Sequence, residues 1–205
     1  MSDKSLSRLF FKYRSYTPVP FIVIMLIYEN ANIWSLIAGV LIVIIGESIR
    51  LWGVSWAGSE TRTTDKPGGT YLIMSGPFAY LRNPLYLGNI LIYFGIGIMS
   101  FAIFPYLQIF AMAFFFIQYY FIIKSEEEYL LGEYGDQYRN YSANVRRFVT
   151  RVTPYKVPGV KQPSFKLKEG FKSEKRTLQA ISIVALTIFL LWFIGRIRLH
   201  DCRDA

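Results

Sequence analysis

Uncharged hydrophobic runs separated by polar segments are the dominant pattern of this 205-residue chain. The longest run covers 83–123, which is 41 consecutive residues without Asp, Glu, Lys or Arg. As a helix it would measure roughly 60 Å, about twice the thickness of the hydrocarbon core of a bilayer. We therefore predict two membrane spans folded back on each other, with the turn at 100–105 and Pro105 at the start of the second helix.

Two further regions complete the predicted set of spans. The run 177–195 is 19 residues long, which suits one helix across a membrane. Glu29 divides the apolar region before residue 47 into two pieces, and the first piece is short for a span. We predict an all-α, polytopic helical membrane protein with about five transmembrane helices, at roughly 15–30, 32–54, 85–101, 105–124 and 177–195.

The 23 Lys and Arg residues are divided very unevenly by the predicted spans, with 20 on one side of the membrane and three on the other. An excess of basic residues is typical of cytoplasmic segments. The sequence therefore predicts a cytoplasmic N-terminus and an outer C-terminus, with a prokaryotic inner membrane as the expected location. The net charge of +9 is accordingly interpreted as a signal of orientation and of a lipid surface, and no nucleic-acid partner is expected.

The chain contains one cysteine and one histidine, Cys202 and His200. A disulfide within the chain and a cysteine-based metal site are therefore excluded, and we expect no metal centre. Cys202 has the position of a prenylation box, but the aliphatic residues of such a box are absent, so prenylation is not expected.

The segments outside the spans give a single domain over 1–205. In the arm 1–16 the side chains of Leu6, Leu9, Phe10 and Tyr13 share a helical face, which predicts a helix on the membrane surface, with a frayed arm as the alternative. Polar residues at 58–75 predict a loop. An amphipathic helix weakened by two glycines is expected at 126–141, and an irregular basic linker at 155–176.

The second span combines small residues with two charges. Gly39, Gly46 and Gly53 recur every seven residues, which predicts close packing against another helix. Glu47 and Arg50 lie three residues apart on one face. Charges near a membrane boundary need a partner or a polar cavity. Mutual pairing and a role in bracing a site are both open.

The segment 76–89 brings polar side chains to the point where a loop enters the third span. The first turn of that helix has free N–H groups and the positive end of the helix dipole, which favour a carboxylate or a phosphate. An interfacial belt of Tyr and Arg is the structural alternative. Glu126, Glu127 and Glu128 end the fourth span, where one or two of them could bind an ammonium or sulfonium group, or form a solvated surface.

Together these segments resemble a known family. The string GPFAYLRNPLYLGN at 76–89 resembles the Gly-Pro-Tyr…Arg-His-Pro-x-Tyr-x-Gly signature of the isoprenylcysteine carboxyl methyltransferases and their phospholipid methyltransferase relatives. The string EEEYLLGEYGDQYRNY at 126–141 resembles the second signature, Glu-Glu…Leu…Phe-Gly-x-x-Tyr-x-x-Tyr. The stretch 46–58 looks like the preceding span, so that the resemblance covers roughly 40–154.

The resemblance implies a membrane-embedded methyltransferase that depends on S-adenosylmethionine, with a cofactor pocket on the cytoplasmic side. The acceptor would be a lipid or a prenylated small molecule that approaches from the bilayer. The residues implied in binding the cofactor are Gly76, Pro77, Phe78, Tyr80, Arg82, Asn83, Pro84, Tyr86, Gly88, Glu126 and Glu127.

Two positions depart from the family's pattern. Asn83 stands where the family has a histidine, so a hydrogen-bonding group remains but an imidazole does not. Asn144 stands where the carboxyl methyltransferases have an arginine that holds the substrate carboxylate. Arg146 and Arg147 follow closely, and we expect them to act as the catalytic residues that approach the acceptor's head group. An amine, a thiol or another head group therefore remains open.

Two other functions are alternatives to methyl transfer. A sterol-type reductase resembles the family in fold and would use NADPH. A non-enzymatic membrane assembly protein would use the polar segments only to anchor its helices. Oxidation of the reduced nicotinamide would indicate a reductase. Variants that lose capture of a partner protein, without any loss of enzymatic turnover, would indicate an assembly protein.

Overall fold

The chain folds into a helical bundle in the computed structural model, which describes residues 3–58, 72–156, 159–160 and 162–201. Within these residues the structure is helical and contains no strand, which confirms the predicted class. The helices are α1 Asp3–Tyr13, α2 Pro18–Ile27, α3 Ile33–Ala57, α4 Pro84–Ser100, α5 Tyr106–Asn144 and α6 Leu167–Asp201, with a 3₁₀ turn at Gly76–Ala79 before α4.

Three helices are long and apolar enough to cross a membrane: α3, α5 and the part of α6 over Leu167–Ile197. The helices α2 and α4 are also apolar but contain only 10 and 17 residues. A span needs about 20 residues, with about 17 as the lower end, so the predicted spans are confirmed for α3, α5 and α6. Helix α4 is at the short end of this range, and α2 is too short to cross a bilayer by itself. The predicted hairpin is present, because α4 ends at Ser100 and α5 starts directly after Pro105.

The N-terminal arm is the predicted helix, and part of its predicted apolar face packs on the bundle. Phe10 lies against α5, with its ring 6.4 Å from that of Phe114 and 5.9 Å from that of Phe121. Leu9 and Tyr13 of the same predicted face are exposed, whereas Ser7 is buried. The side of α1 that meets α5 therefore overlaps with the predicted face only in part.

Helices α3 and α4 approach so closely that their backbones touch. A Cβ atom added at Gly46 would lie 2.8 Å from the Gly88 carbonyl oxygen, and one at Gly95 would lie 2.8 Å from that of Gly39. The predicted close packing through glycines is therefore confirmed. Since lipid supplies no hydrophobic force between helices, this contact rests on dispersion and shape.

Helix α5 continues well past the membrane and bends once. Its 39 residues include Gly135 at φ 49 and ψ −123, a backbone conformation that only glycine adopts easily. After the bend, Tyr138 and Tyr141 pack with Leu72, Met74 and Val145 in a second, smaller core. The amphipathic helix predicted at 126–141 is thus the end of α5, bent at the second of its two glycines.

Helix α6 starts ten residues earlier than the sequence predicts. The stretch 155–176, interpreted as an irregular linker, is helical from Leu167. Gly170 packs on Ser55 at the end of α3, and the Lys166 N–H donates to the Ser55 carbonyl at 2.8 Å. Most of the predicted loop at 58–75, and Cys202, lie outside the described residues.

Candidate functional site

The chain enters α4 through a tight turn that packs on α3. Gly76 has φ +60, and a Cβ atom there would lie 2.2 Å from Cδ1 of the Trp56 ring. A side chain is therefore excluded both by the backbone conformation and by the indole. Pro77 and Pro84 are fully buried on either side of the polar residues between them. The turn thus fixes the direction in which Arg82 and Asn83 leave the backbone.

The segment that follows α5 folds back onto this turn and holds it with hydrogen bonds. The Tyr141 hydroxyl donates to the Phe78 carbonyl at 2.7 Å. Backbone N–H groups donate at 2.9 Å from Arg82 to Arg146 O, from Arg151 to Tyr80 O and from Tyr155 to Ala79 O. The two signature segments are therefore parts of one layer at the end of the bundle.

Glu127 lies between two arginines at the centre of this layer. Its Oε1 atom is 3.0 Å from Arg82 Nη2, and its Oε2 atom accepts from Arg147 Nη2 at 2.6 Å. Arg82 also donates from Nη1 to the Ser142 carbonyl at 2.7 Å. The hydrogen bonds that Arg147 donates to Glu127 raise the pKa of Arg147 above its ordinary value, so this guanidinium stays charged.

Glu126 has a different kind of partner. Its Oε1 atom accepts from the Tyr86 hydroxyl at 2.6 Å, a short bond from a neutral donor. The Tyr86 ring packs against that of Tyr119, with 4.7 Å between the centroids and 37° between the ring planes. Glu128, the third acid, is exposed. The three adjacent carboxylates therefore differ, because one is compensated by two arginines, one is held by a phenol and one is solvated.

Polar capacity also remains in the turn before α4. Ser75 Oγ, Arg82 Nε and Asn83 Nδ2 are buried and have no hydrogen-bond partner among the described residues. Asn83 occupies the N-cap position of α4, yet its side chain makes no capping bond. Buried donors are nearly always paired in folded proteins. These atoms are therefore available to a polar ligand.

The segment that carries this layer matches a known family. Residues 34–137 match the family model described as phospholipid methyltransferase. The chain belongs to this family. It is thus an integral membrane methyltransferase, with α3, α4 and most of α5 inside the matched segment and with α1 and α6 outside it. No curated protein and no solved structure matches the chain.

Some predicted site residues of this methyltransferase come together and others do not. Arg82, Tyr86, Glu126, Glu127 and Arg147 meet in one layer through the contacts given above. Others have different surroundings: the Tyr80 ring lies 6.0 Å from that of Trp52, Gly88 packs on the Arg50 side chain, and Arg146 contributes a backbone carbonyl while the residue is exposed.

A buried charge network adjoins this layer, and its contact with α6 is not predicted from the sequence. Arg50 Nη2 donates to both carboxylate oxygens of Glu174 on α6, at 2.9 and 2.8 Å, and Arg50 Nη1 donates to Asn89 on α4. The Glu47 carboxylate lies 3.8 Å from Arg50 Nε. The predicted pairing of Glu47 with Arg50 is therefore present but long, and Glu174 is the nearer partner of this arginine. Sequence patterns do not indicate the contact of Arg50 with Glu174, because Glu174 lies in the stretch that is interpreted as a linker.

Proposed function

We propose that this protein transfers a methyl group from S-adenosylmethionine to a polar group on a lipid-like acceptor. The observation that carries the proposal is the meeting of Tyr86 with Glu126 and of Arg82 with Glu127. These two contacts join segments that are about 40 residues apart in sequence, in a protein of the phospholipid methyltransferase family.

The available groups fit the amino-acid end of S-adenosylmethionine, which carries a carboxylate and an ammonium. Arg82 Nε and Asn83 Nδ2 are unpaired donors suited to the carboxylate. Glu126 is the better acceptor for the ammonium, since its hydrogen-bond partner is a phenol, whereas Glu127 is already compensated by two guanidinium groups. Glu127 would instead keep Arg82 oriented.

The bound cofactor would supply a methyl group on a positively charged sulfur. Methyl transfer by in-line displacement mainly requires orientation and exclusion of water, both of which a packed site at a membrane boundary supports. The chain's own contribution would be to position the cofactor through Glu126 and the turn before α4.

The acceptor is proposed to approach from the bilayer with its head group near Arg146 and Arg147. The Arg147 side chain is 36% exposed, and its guanidinium lies 5.8 Å from the centroid of the Tyr120 ring. An exposed aromatic ring beside a cation suits the boundary between lipid tails and head groups. The same proposal puts this layer on the cytoplasmic side of a prokaryotic inner membrane, following the excess of basic residues there.

Calorimetry on the purified protein in detergent, with S-adenosylmethionine and S-adenosylhomocysteine, tests cofactor binding. We expect binding of both, and a roughly tenfold weaker affinity in Glu126→Gln, since one charge-assisted contact is removed. Glu128→Gln is the matched control, because it removes the adjacent but exposed carboxylate and should bind as the wild type does. A wild-type protein that binds neither compound contradicts the proposal.

Transfer of a labelled methyl group tests the class of acceptor. Membranes that contain the protein are incubated with methyl-labelled S-adenosylmethionine and then extracted with organic solvent. We expect the label in the organic phase, and less of it with the Arg147→Ala variant. Label that appears only in water-soluble products or in protein would exclude a lipid-like acceptor.

A further inference from the structure

The network around Arg50 ends at the proposed cofactor site and begins on a helix that the family match leaves out. We propose that Glu174 on α6 is a positioning residue for the cofactor, and that it acts through Arg50, Asn89 and Tyr119 on the Tyr86–Glu126 pair. This inference rests on the proposed function, because it concerns the same carboxylate.

The first step is the fixing of Arg50 by Glu174. The Glu174 side chain is 1% exposed and that of Arg50 is 13% exposed, so both charges are withdrawn from water. The guanidinium is held at two nitrogens, since Nη2 donates to Glu174 and Nη1 donates to Asn89, and this limits its rotation. The Arg50 side chain packs directly on the backbone of Gly88, where a Cβ atom would lie 2.5 Å from Arg50 Cγ. The arginine is therefore held between α6 and α4.

The second step leads from Arg50 to the aromatic pair. Arg50 Nη1 donates to the Asn89 side-chain oxygen, which leaves the amide nitrogen of Asn89 to act elsewhere. Asn89 interacts with the Tyr119 hydroxyl, which also interacts with Tyr93. The Tyr119 ring packs against the Tyr86 ring at a tilt of 37°, and the Tyr86 hydroxyl donates to Glu126. A series of polar contacts and one ring contact thus connects α6 with the carboxylate proposed to bind the ammonium.

The surroundings of Glu47 support a role beyond helix packing. Both Glu47 oxygens and Arg50 Nε are buried without a hydrogen-bond partner in the part of the chain that the structure describes. The geometry of Arg50 is therefore set by Glu174 and Asn89, although a second carboxylate lies on its own helix. The ion pair between Arg50 and Glu174 is sufficient to attach α6 to α3. The additional contact of Arg50 with α4 therefore supports a role beyond this attachment.

Glu174→Gln and the double variant Arg50→Met/Glu174→Leu test the inference by calorimetry with S-adenosylhomocysteine and by thermal unfolding in detergent. We expect Glu174→Gln to bind roughly tenfold more weakly than the wild type. The double variant removes both charges together, and apolar replacement of a buried ion pair is often neutral or stabilising. It should therefore keep the wild-type melting temperature and still bind roughly tenfold more weakly.

Glu169→Gln is the matched control, because Glu169 lies on the same helix in an exposed pair with Lys166 at 3.3 Å. It should bind and unfold as the wild type does. If the wild type binds and the double variant binds equally well, the network only joins the helices and the inference is overturned, while the proposed function stands. If the wild type does not bind, the proposed function fails, and this inference fails with it.

Discussion

Two Arg–Glu contacts in this molecule have similar distances but different surroundings. The pair Arg50–Glu174 is sealed, with side-chain exposures of 13% and 1%. The pair Arg147–Glu127 lies at the edge of the site, with exposures of 36% and 16%. The sealed carboxylate has one arginine partner, and the other carboxylate is shared by two arginines. Burial makes the first pair costly to break, whereas loss of one arginine would leave the second carboxylate with another.

Removal of Arg50 should have the largest effect on stability. Arg50→Ala leaves the Glu174 carboxylate buried without a cation, which costs about 3–5 kcal/mol for a pair of this kind. We expect a much lower melting temperature in detergent and a lower yield of folded protein, both measured by fluorescence-detected size exclusion after heating. A melting temperature equal to that of the wild type would show that the pair is not sealed as described.

Removal of Glu127 should have an intermediate effect. Glu127→Ala takes one shared carboxylate from Arg82 and Arg147, but Arg82 keeps its bond to the Ser142 carbonyl. We expect a loss of about 2 kcal/mol in the free energy of unfolding, together with weaker binding of S-adenosylhomocysteine. Thermal unfolding and calorimetry measure the two effects. Glu128→Ala is the control, and equal behaviour of the two variants would contradict a central place for Glu127.

Tyr86→Phe tests the hydrogen bond between the Tyr86 hydroxyl and Glu126, and it should reduce stability less than the substitutions above. It deletes one hydrogen bond of 2.6 Å and keeps the ring that packs against Tyr119. We expect a loss of about 1 kcal/mol in stability. The affinity for S-adenosylhomocysteine should also fall several-fold by calorimetry. Tyr106→Phe, at the exposed opposite end of α5, should leave both quantities unchanged, and an identical response of the two variants would refute the assignment.

The smallest effect is expected for an exposed pair of equal length. Arg139 and Asp136 lie 2.8 Å apart, with exposures of 70% and 85%. Surface ion pairs contribute little, so Arg139→Ala should change the free energy of unfolding by less than about 0.5 kcal/mol. Thermal unfolding beside Arg50→Ala makes the comparison direct. A change as large as that of Arg50→Ala would show that distance, and not burial, governs these pairs.

The membrane part of the fold could be predicted because its signals are local. An uncharged run of 41 residues is long enough for two spans and must fold back on itself, and glycines at a spacing of seven identify the face of α3 that meets α4. The same reasoning brings Tyr86 and Arg82 near the acids that follow the fourth span, since a hairpin returns the chain to one side. The contacts of Glu126 and Glu127 agree with that expectation.

The contacts that depend on distant backbone could not be predicted in this way. The segment after Asn144 folds onto the turn at 78–82 through main-chain hydrogen bonds, which leave no trace in the choice of side chains. Glu174 lies in a lysine-rich stretch whose composition gives no sign that this side chain faces the interior of the bundle. Its partner, Arg50, is identified only from the packed structure. Sequence patterns indicate which face of a helix is buried, but not which distant residue meets it.

Because α5 bends at Gly135, the number of residues between Glu127 and this glycine determines how the helix beyond the bend is oriented. Seven residues separate Glu127 from Gly135, and three more lead to Tyr138. One residue inserted before Gly135 would rotate everything beyond it by roughly 100° about the helix axis, while the membrane part stayed in place. Tyr141 would then no longer point at the Phe78 carbonyl. The stretch between the acids and this glycine should therefore tolerate substitution far better than insertion or deletion.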